Sequence, residues 1–575
     1  MSEKLEYELG DIIFDPFEGV ELLLNDDIIS FDLETTGLSP WRDNIALMQF
    51  YGNKTQTPVL IRISDGVVPD IVKSLFARGD KLFVGHNVVG FDVLFLDTHD
   101  VDWSRNRWYD TLIGEGIVST TSRRDVSRNL KSSIRRRLGM TIDKNIEHGK
   151  WTADQLSDQQ LTYAVNDVIY VQELMREQIE KAGSQEQTEA LDMEMELAPI
   201  VARMTLNGLP LVADYLNQWL DEQKEVEKRS REWLIEHLGP INLNSPVQLT
   251  RRFKELGLNF ENTRAETLTT IASFGEGLAS DIASHLLEYR APAQRMKMYQ
   301  ESWQKQHIID DWVHARFWQV GTDTMRFSSS NPNLQQVPKD GRKIIGNLDG
   351  VSIVNADYSQ IEVRIAAQIA NDERLIEVLN SGDVHKGVAA QIFGITEEEV
   401  TPAQRKLAKA ATFTLLFGGG PQMLFEYARN SGSHIEFNEA REIFSRFFVA
   451  FQGLREMRNK AYAMSKDRKV VSIRLPNSGK RVLIGRNVTP TRILNTVVQG
   501  SAAVGLKYAI LEADKMGLTK YLGATVHDEL VAAVPDKEVE EYSKALEQAM
   551  IIGMRRAFPN MEVLVEVKSG KYWQI

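Results

Sequence analysis

Short apolar runs that end in acidic residues predict strands in the C-terminal half of the chain. Residues 351–356 are mostly apolar and rich in β-branched side chains, and the pattern then becomes amphipathic. We therefore predict a buried strand that ends at Asp357 and leads into a helix. Two later apolar runs flank His527, Asp528 and Glu529, which predicts a hairpin with the acids at its turn.

The acids at these two strand ends are candidate metal ligands. A carboxylate at the end of a buried strand is costly to desolvate unless a cation or a donor meets it. Mg²⁺ takes oxygen ligands, and two such ions stabilise both the attacking and the leaving oxygen of phosphoryl transfer. Asp357 and Asp528 are therefore candidates to share Mg²⁺ ions. The alternative is that Asp357 only caps the helix that follows.

A third pattern supplies positive charge. Arg405, Lys409, Phe413 and Phe417 recur at every fourth position. Since a helix turns by about 100° per residue, each step of four drifts by only about 40°, and the side chains form one slowly winding stripe. Two cations followed by two rings match a triphosphate beside a base or a sugar. The alternative is a solvated basic face next to a buried ridge of phenylalanine.

The N-terminal third predicts a sheet with a second acidic cluster. Residues 28–37 form a strand in which Asp32 and Glu34 lie two apart and therefore on one face. Apolar runs at 45–51, 59–63 and 82–84 extend the sheet. Asp92 follows a turn that starts at Gly85, and Tyr163 and Asp167 lie four apart on a predicted helix.

Composition places few limits on this picture. At 575 residues the chain exceeds one core, so we expect three or four subdomains. The chain has no cysteine, which excludes disulfides and thiolate metal sites and fits the cytoplasm. We find no apolar run of about 18 residues and expect no membrane association. The net charge of −13 does not exclude DNA binding, because the position of the cations matters more. Basic clusters occur at Arg123–Arg124, Arg135–Arg137, Arg290–Lys297 and Arg342–Lys343.

The three C-terminal stretches resemble motifs A, B and C of family A DNA polymerases, the DNA polymerase I large-fragment type. The resemblance implies that Asp357 and Asp528 bind two catalytic Mg²⁺ ions, that the backbone of Tyr358 binds one of them, and that Glu529 acts less directly. It implies that Glu362 blocks the 2′-hydroxyl of a ribonucleotide. Gln360 and Arg364 are then supporting polar contacts, with an exposed helix surface as the alternative.

The same resemblance assigns the nucleotide contacts. Arg405 and Lys409 bind the dNTP phosphates, Phe413 stacks on the incoming nucleotide, and His385 lies near the triphosphate. Phe417 stands where the family usually has tyrosine. Without that hydroxyl, base selection is expected to differ from that of better-known relatives.

Two further stretches resemble DNA-contacting segments of the family. Residues 321–338 resemble the primer–template strip. There Met325, Phe327 and Gln336 replace the usual Gly, Leu and Asn. The positions assigned to minor-groove or primer-end contacts are Arg326, Asn333, Gln336, Arg492, Asn495, Gln499 and His527. The alternative for the polar face formed by 492, 495 and 499 is a buried network that holds motif C.

The N-terminal acids resemble the three motifs of DnaQ-like 3′→5′ exonucleases, which have an RNase H-like fold. The resemblance implies that two Mg²⁺ or Mn²⁺ ions are bound by Asp32, Glu34, Asp92 and Asp167. Tyr163 would orient the attacking water. No acid of the set is missing, so we predict an active proofreading site.

Together these patterns predict a multidomain α/β and α+β protein. Residues 1–185 would form an RNase H-like exonuclease domain and 186–575 a right-hand polymerase domain. The thumb is expected at about 196–318, the palm at about 319–370 and 488–575, and the fingers at about 371–487.

The predicted function is template-directed extension of a primer with dNTPs, with 3′→5′ proofreading. We expect a monomer in the cytoplasm of a bacterial host. A chain that starts with the exonuclease and has no room for a 5′ nuclease suggests a bacteriophage replicase, with a cloned large fragment as the alternative. Two alternatives are a nuclease whose polymerase half only binds DNA, and a non-catalytic DNA-binding factor. Helicase, primase or single-strand-binding partners and a preference for modified bases are not readable from the sequence.

Overall fold

The N-terminal part of the computed structural model is built around a five-stranded sheet. The structure describes residues 11–119, 126–142, 151, 156–274, 276–300, 303, 308–430, 433, 435–466, 470–476, 479–484 and 488–574. The strands are β1 (Ile28–Thr35), β2 (Ile45–Gly52), β3 (Pro58–Arg62), β4 (Leu82–Gly85) and β5 (Arg107–Asp110). Their order is β3–β2–β1–β4–β5, with β1–β2 and β2–β3 antiparallel and β1–β4 and β4–β5 parallel. The apolar runs predicted to extend the sheet are confirmed.

Helices cover this sheet and carry part of the acidic cluster. They are α1 (Pro16–Leu23), α2 (Asp70–Ala77), α3 (Asp92–Thr98), α4 (Thr111–Val118), α5 (Leu130–Leu138), α6 (Asp158–Ile169) and α7 (Val171–Ser184). Ser157 and Gln160 form a capping box at the start of α6, which fixes where this helix begins. The basic pair Arg123–Arg124 lies outside the described residues.

A long helix, α8 (Thr188–Asn207), joins this part to the rest of the chain. Ala198 and Ala202 pack into the core of the N-terminal sheet, whereas Leu197 and Val201 belong to the larger C-terminal core. One helix therefore supplies apolar side chains to both halves, and the predicted boundary at 185/186 falls just before a shared element.

The predicted thumb is helical and has a small core of its own. Its helices are α9 (Ala213–Leu238), α10 (Pro246–Glu255), α11 (Ala265–Phe274) and α12 (Leu278–Met296), and Leu234, Leu249 and Phe253 are buried between them. Arg290, a candidate phosphate contact, donates to the carbonyls of Thr263 (2.6 Å) and Leu243 (3.3 Å). Arg290 therefore ties the thumb together.

Short strands lead from the thumb to the central sheet of the C-terminal half. They are β6 (Leu209–Pro210), β7 (Ile308–Ile309), β8 (Trp312–Val313), β9 (Arg316–Trp318) and β10 (Ser328–Ser330). The later strands are β11 (Val351–Tyr358), β12 (Val470–Leu475), β13 (Gly479–Ile484), β14 (Leu522–Val526), β15 (Glu529–Pro535) and β16 (Val565–Gly570). The central sheet has the order β14–β15–β11–β16, and every neighbouring pair in it is antiparallel.

The remaining helices pack beside this sheet or form the predicted fingers. They are α13 (Ile361–Ala370), α14 (Glu373–Asn380), α15 (Val384–Phe393), α16 (Pro402–Leu416), α17 (Pro421–Asn430), α18 (Phe437–Ala450), α19 (Gln452–Ser465), α20 (Pro490–Lys515) and α21 (Val539–Ala557). A Thr–Pro pair starts both α16 and α20, with the Thr401 and Thr489 side chains as caps. Within the described ranges, we find no helix with the length and hydropathy needed to cross a membrane.

Candidate active sites

Antiparallel pairing brings the two predicted acids of the C-terminal half to one edge of the central sheet, the edge formed by the end of β11 and the turn between β14 and β15. Asp357 lies at the end of β11, opposite Glu529 at the start of β15. The Tyr358 backbone N–H donates to the Asp528 carbonyl oxygen (3.4 Å). The predicted hairpin is confirmed, with His527 and Asp528 in the turn between β14 and β15. His527 has a φ of 57°, which the tight turn requires.

The surroundings of Asp357 disfavour its charged form. Nearby protein displaces much of the solvent around the carboxyl group, and Glu529 and Asp528 add negative charge; together they raise the pKa of Asp357 to about 6. The side chain is nevertheless exposed at the sheet edge. A cation that arrives there meets an accessible acid whose charge it stabilises.

Arg326 links the acids of this site. Its guanidinium donates to both carboxylate oxygens of Asp528 (3.2 Å each) and to Glu362 Oε1 (2.6 Å). Burial raises the pKa of Glu362, an effect that the charge of Arg326 and a hydrogen bond from Gln499 oppose. The predicted primer-end residue, the sugar-selecting acid and a metal-ligand candidate are therefore in direct contact.

Glu529 is held by donors from three parts of the chain. Arg342 Nη2 (2.8 Å), Asn355 Nδ2 (2.7 Å) and Trp573 Nε1 (2.9 Å) donate to its buried carboxylate. Arg342, part of a predicted basic cluster, therefore uses its guanidinium for contacts inside the protein. Sequence reasoning missed Asn355 and Trp573, although Asn355 lies two residues before Asp357 and hence on the same face of β11.

The predicted stripe is confirmed as a feature of α16. Arg405, Lys409 and Phe413 lie on this helix, and Phe417 is the residue at its C-terminal cap. Lys409 is exposed, whereas Arg405, Phe413 and Phe417 are half-buried. The basic and aromatic side chains therefore border solvent, as a nucleotide-binding face requires.

Asp383, which the sequence analysis did not single out, orients this face. Its Oδ2 accepts from Arg405 Nε (2.8 Å), and its Oδ1 accepts from the backbone N–H groups of His385 (3.0 Å) and Lys386 (3.1 Å). Partial burial opposes ionisation, but these donors lower the pKa of Asp383. The signal in the sequence was an Asp directly before a helical pattern, the preferred N-cap residue.

His385 lies behind the stripe. Its ring centroid is 6.2 Å from that of Phe413. Burial, together with the charges of Lys409 and Arg405, lowers the pKa of His385, so the imidazole is neutral at pH 7. The structure thus brings His385 to the predicted nucleotide face.

Three of the predicted DNA-contacting residues lie on α20, and one of them, Gln499, hydrogen-bonds to Glu362. Arg492, Asn495 and Gln499 are half-buried on α20, and Arg492 pairs with Asp323 (3.1 Å). Among the described residues, Asn495 Oδ1 and Gln360 Oε1 are buried without a hydrogen-bond partner.

The segment before β11 carries the other predicted contacts. Asn333 caps a short 3₁₀ helix through Gln335 N–H (3.0 Å), and Gln336 is exposed. Arg364 is buried and bonded to Glu562 (2.9 Å), so the exposed-surface alternative for Arg364 is wrong.

In the N-terminal half, the strand acids and the helix acid converge. Carboxylate oxygens of Asp32, Glu34 and Asp167 all lie within 4.8 Å of one another. Within the described ranges, no other group of three or more potential ligand side chains has its ligand atoms this close together. An all-oxygen set of this size suits the hard cations Mg²⁺ and Mn²⁺.

Asp92 and Tyr163 adjoin this triad. Asp92 Oδ1 accepts from the N–H of Leu33 (2.8 Å), the residue between the two strand acids. Burial raises the pKa of Asp92 well above its usual range. Burial, followed by the charges of Asp167 and the strand acids, raises the pKa of Tyr163, which is hydrogen-bonded to Asp167. The phenol therefore stays protonated.

Asp110, also missed from the sequence, shapes the turn before Asp92. It is buried and accepts from the N–H groups of Asn87 (2.9 Å), Val89 (3.2 Å) and Leu112 (2.9 Å). Burial raises the pKa of Asp110 to about 6. A carboxylate at a strand end is compatible with many roles, so the sequence alone did not separate this one.

Comparisons with known proteins identify a family for each half of the chain. The family model described as "3'-5' exonuclease" matches residues 13–182, and that described as "DNA polymerase family A" matches 212–575. DNA polymerase I of Aquifex aeolicus (strain VF5) is 29% identical, with 97% of each chain covered. DNA polymerase I of Bacillus subtilis (strain 168) is 31% identical over 70% of this chain and 48% of the relative. The chain thus spans nearly all of the first relative and about half of the second.

A solved structure shares the fold. It is the POL domain of Pol1 from M. smegmatis in complex with a DNA primer–template and dNTP, with a TM-score of 0.80, 22% identity and coverage of 98% of this chain and 99% of that one. Polymerase and exonuclease domains of these families generally use divalent metals. The triad of Asp32, Glu34 and Asp167 offers carboxylate oxygens that suit such an ion. The chain belongs to DNA polymerase family A and is a DNA polymerase I-like enzyme with a 3′→5′ exonuclease domain.

Proposed function

We propose that this enzyme extends a DNA primer with dNTPs at the edge of the central sheet and trims mispaired 3′ ends at the triad of Asp32, Glu34 and Asp167. The observation that carries the proposal is the contact of Arg326 with both Asp528 and Glu362, directly beside Asp357. One group of residues then serves primer end, sugar and metal. We assign residues 1–185 to trimming and 186–575 to extension, with α8 shared.

Asp357, Asp528 and the backbone of Tyr358 would hold two Mg²⁺ ions. When bound, such ions stabilise the attacking primer 3′-oxygen and the leaving pyrophosphate. Arg326 pairs with Asp528 (3.2 Å), and a primer end that draws Arg326 into the minor groove would leave both Asp528 oxygens to a metal ion. Glu529 supports this edge through its bonds to Arg342, Asn355 and Trp573.

The stripe on α16 would bind the incoming nucleotide. Arg405, held through Nε by Asp383, keeps its terminal nitrogens for the phosphates, and exposed Lys409 adds a point charge. Phe413 stacks on the nucleotide, with neutral His385 beside it. Glu362 then closes the space where a ribose 2′-hydroxyl would lie. Phe417 lines the same side, and a comparison of dATP with modified purine triphosphates tests its effect on base choice.

Asp32, Glu34, Asp92 and Asp167 would hold two Mg²⁺ or Mn²⁺ ions, which would promote phosphodiester hydrolysis when bound. Tyr163 is protonated and hydrogen-bonded to Asp167, so its phenol is placed to orient a water molecule. Asp92 is held next to the strand acids by its hydrogen bond from the N–H of Leu33, which lies between them.

Primer extension with single dNTPs, together with trimming of a 3′-mismatched primer, tests the proposal. Asp32→Ala with Glu34→Ala should abolish trimming and leave extension intact, whereas Asp357→Asn should do the reverse. Glu566→Gln, in register with Asp357 on the neighbouring strand, is the matched control and should retain both activities. Trimming without extension by the parent enzyme would favour the nuclease alternative, and loss of both would favour a binding factor.

A further inference from the structure

A fully buried amide lies between the two elements that carry the exonuclease acids. Gln49 is on β2, directly opposite Asp32 on β1, and its exposed fraction is 0%. Partners in an antiparallel register place their side chains on the same face. Gln49 therefore lies beneath the acidic triad.

The Gln49 amide reaches both the strand and the helix. With its nitrogen and oxygen assigned so that each meets a complementary group, Nε2 donates to Asp32 Oδ2 (3.1 Å) and to the carbonyl oxygen of Ala164 (3.1 Å). Ala164 lies on α6 between Tyr163 and Asp167. A primary amide has two N–H donors, and both are used across this junction.

We propose that Gln49 is a positioning residue of the exonuclease site, which fixes the separation of Asp32 on β1 from Tyr163 and Asp167 on α6. This inference rests on the proposed trimming function of that triad. Without the amide, Asp32 loses a charge-assisted donor, and α6 loses the hydrogen bond that ties its Ala164 carbonyl oxygen to β2. The carboxylates then no longer share a fixed spacing, and a cation must order them as it binds.

The expected effect is that of lost outer contacts to metal-ligating carboxylates, which typically lowers metal affinity or activity by about 10- to 100-fold. Gln49→Met keeps the length of the side chain and removes both donors. Gln49→Glu keeps the shape and replaces the donors with an acceptor next to Asp32, so its loss should be at least as large.

Gln172 provides a matched control. It is also a buried glutamine bound to β2, with Nε2 donating to the carbonyl oxygen of Tyr51 (2.8 Å), two residues from Gln49. Gln172→Met removes a comparable bond at the same strand without touching the acids. A general weakening of the sheet would affect Gln172→Met and Gln49→Met alike.

The experiment measures trimming rate and Mn²⁺ affinity in the 575-residue chain. Mn²⁺ binding is followed by electron paramagnetic resonance in an Asp357→Asn/Asp528→Asn background, which removes the polymerase-site acids. Gln49→Met should trim at least tenfold more slowly and bind Mn²⁺ about tenfold more weakly, while primer extension in the otherwise unaltered enzyme and the Gln172→Met variant stay at parent levels.

Parent-like Mn²⁺ affinity in both Gln49 variants would overturn the inference, even if trimming fell. If Gln49→Met lost extension as well, the better-matched Gln49→Glu would decide by the same two measurements. A parent enzyme that does not trim mismatched primers would instead contradict the proposed function.

Discussion

Met325 occupies a backbone conformation that favours glycine. Its φ is 62°, and its side chain is fully buried just before Arg326. The primer–template strip of the family usually has glycine here, and the structure keeps the left-handed turn although the residue has changed. The buried side chain and the strained backbone therefore act in opposite directions on stability.

Glycine and alanine at position 325 separate these two effects. Both substitutions empty the buried site, but only Met325→Gly relieves the left-handed backbone, so it should be more stable than Met325→Ala by about 1 kcal/mol. Thermal melting should show the Gly variant about 1 °C above the Ala variant. A higher melting temperature for the Ala variant would contradict a positive φ at this position.

Glu362 should exclude ribonucleotides by the space it fills. Glu362→Ala is expected to raise the kcat/KM for rNTPs relative to dNTPs by roughly 10- to 100-fold, since a wall of this size contributes about 1–3 kcal/mol of discrimination. Single-turnover incorporation of each nucleotide measures the ratio. Glu362→Gln keeps the bulk and should keep most of the discrimination; equal relaxation in both variants would show that charge decides instead.

At this scale the sequence predicted chemistry better than contacts. Asp357, Asp528 and the pair Asp32 and Glu34 stood out because carboxylates at strand ends follow from local pattern. The bonds of Glu529 to Arg342 and Trp573 did not, because these residues lie 187 and 44 positions away from it in the chain. No local periodicity records such contacts.

At the scale of elements, the N-terminus of α15 and the first turn of α16 act together through Asp383. The carboxylate caps one helix and orients an arginine on the other. Any change in the angle between the two helices therefore changes where the Arg405 guanidinium points.

Asp383→Asn tests this coupling. Asparagine retains the cap but loses the charge, so the KM for dNTPs should rise about threefold to fivefold while kcat changes little, because Asp383 and Arg405 are both partly exposed and their pair is correspondingly weak. Asp372→Asn is the control, since Asp372 caps α14 and its other oxygen accepts from Leu454 N–H. An unchanged or lower KM for Asp383→Asn would contradict the positioning role.

The starts of several helices carry local signals. Thr401, Thr489 and Ser245 are each followed by proline, and α16, α20 and α10 begin there. The boundary between α6 and α7 at Tyr170 carries no such signal. Apolar periodicity runs through that position, and the break arises where two helices pack differently on the sheet.

At the scale of the whole molecule, α8 and α20 are joined by a buried ion pair. Lys507 and Glu194 are both 0% exposed and in direct contact, and Gln319 donates to Glu194 (2.9 Å) and accepts from Lys507 (2.9 Å). This network connects the shared helix to the helix of the predicted minor-groove contacts. The partners are 313 positions apart in the chain, so the sequence did not predict the pair.

Breaking one side of this pair should be costly. Lys507→Met leaves Glu194 as an uncompensated buried charge, with an expected loss of about 3–5 kcal/mol and a fall in melting temperature of about 4–6 °C. Lys507→Met with Glu194→Leu should recover much of that loss. If the single variant melted like the parent enzyme, the pair would not be buried in solution.

Several whole-molecule expectations stay predictions. They are the monomeric state, the bacteriophage origin and the cytoplasmic location. Surface chemistry and genomic context decide these properties, and neither leaves a periodic signal in one chain.

The last described residues are hydrogen-bonded to the central sheet and to Arg342 beside it. Trp573 donates to Glu529, the Gln574 N–H donates to Asn355 (3.4 Å), and Arg342 donates to the Gln574 carbonyl oxygen (2.9 Å). A purification tag or fluorescent reporter fused directly after these residues would disturb their hydrogen bonds to Glu529, Asn355 and Arg342. Such a fusion should slow nucleotide addition and leave trimming intact, and one gel that follows both reactions would show the difference.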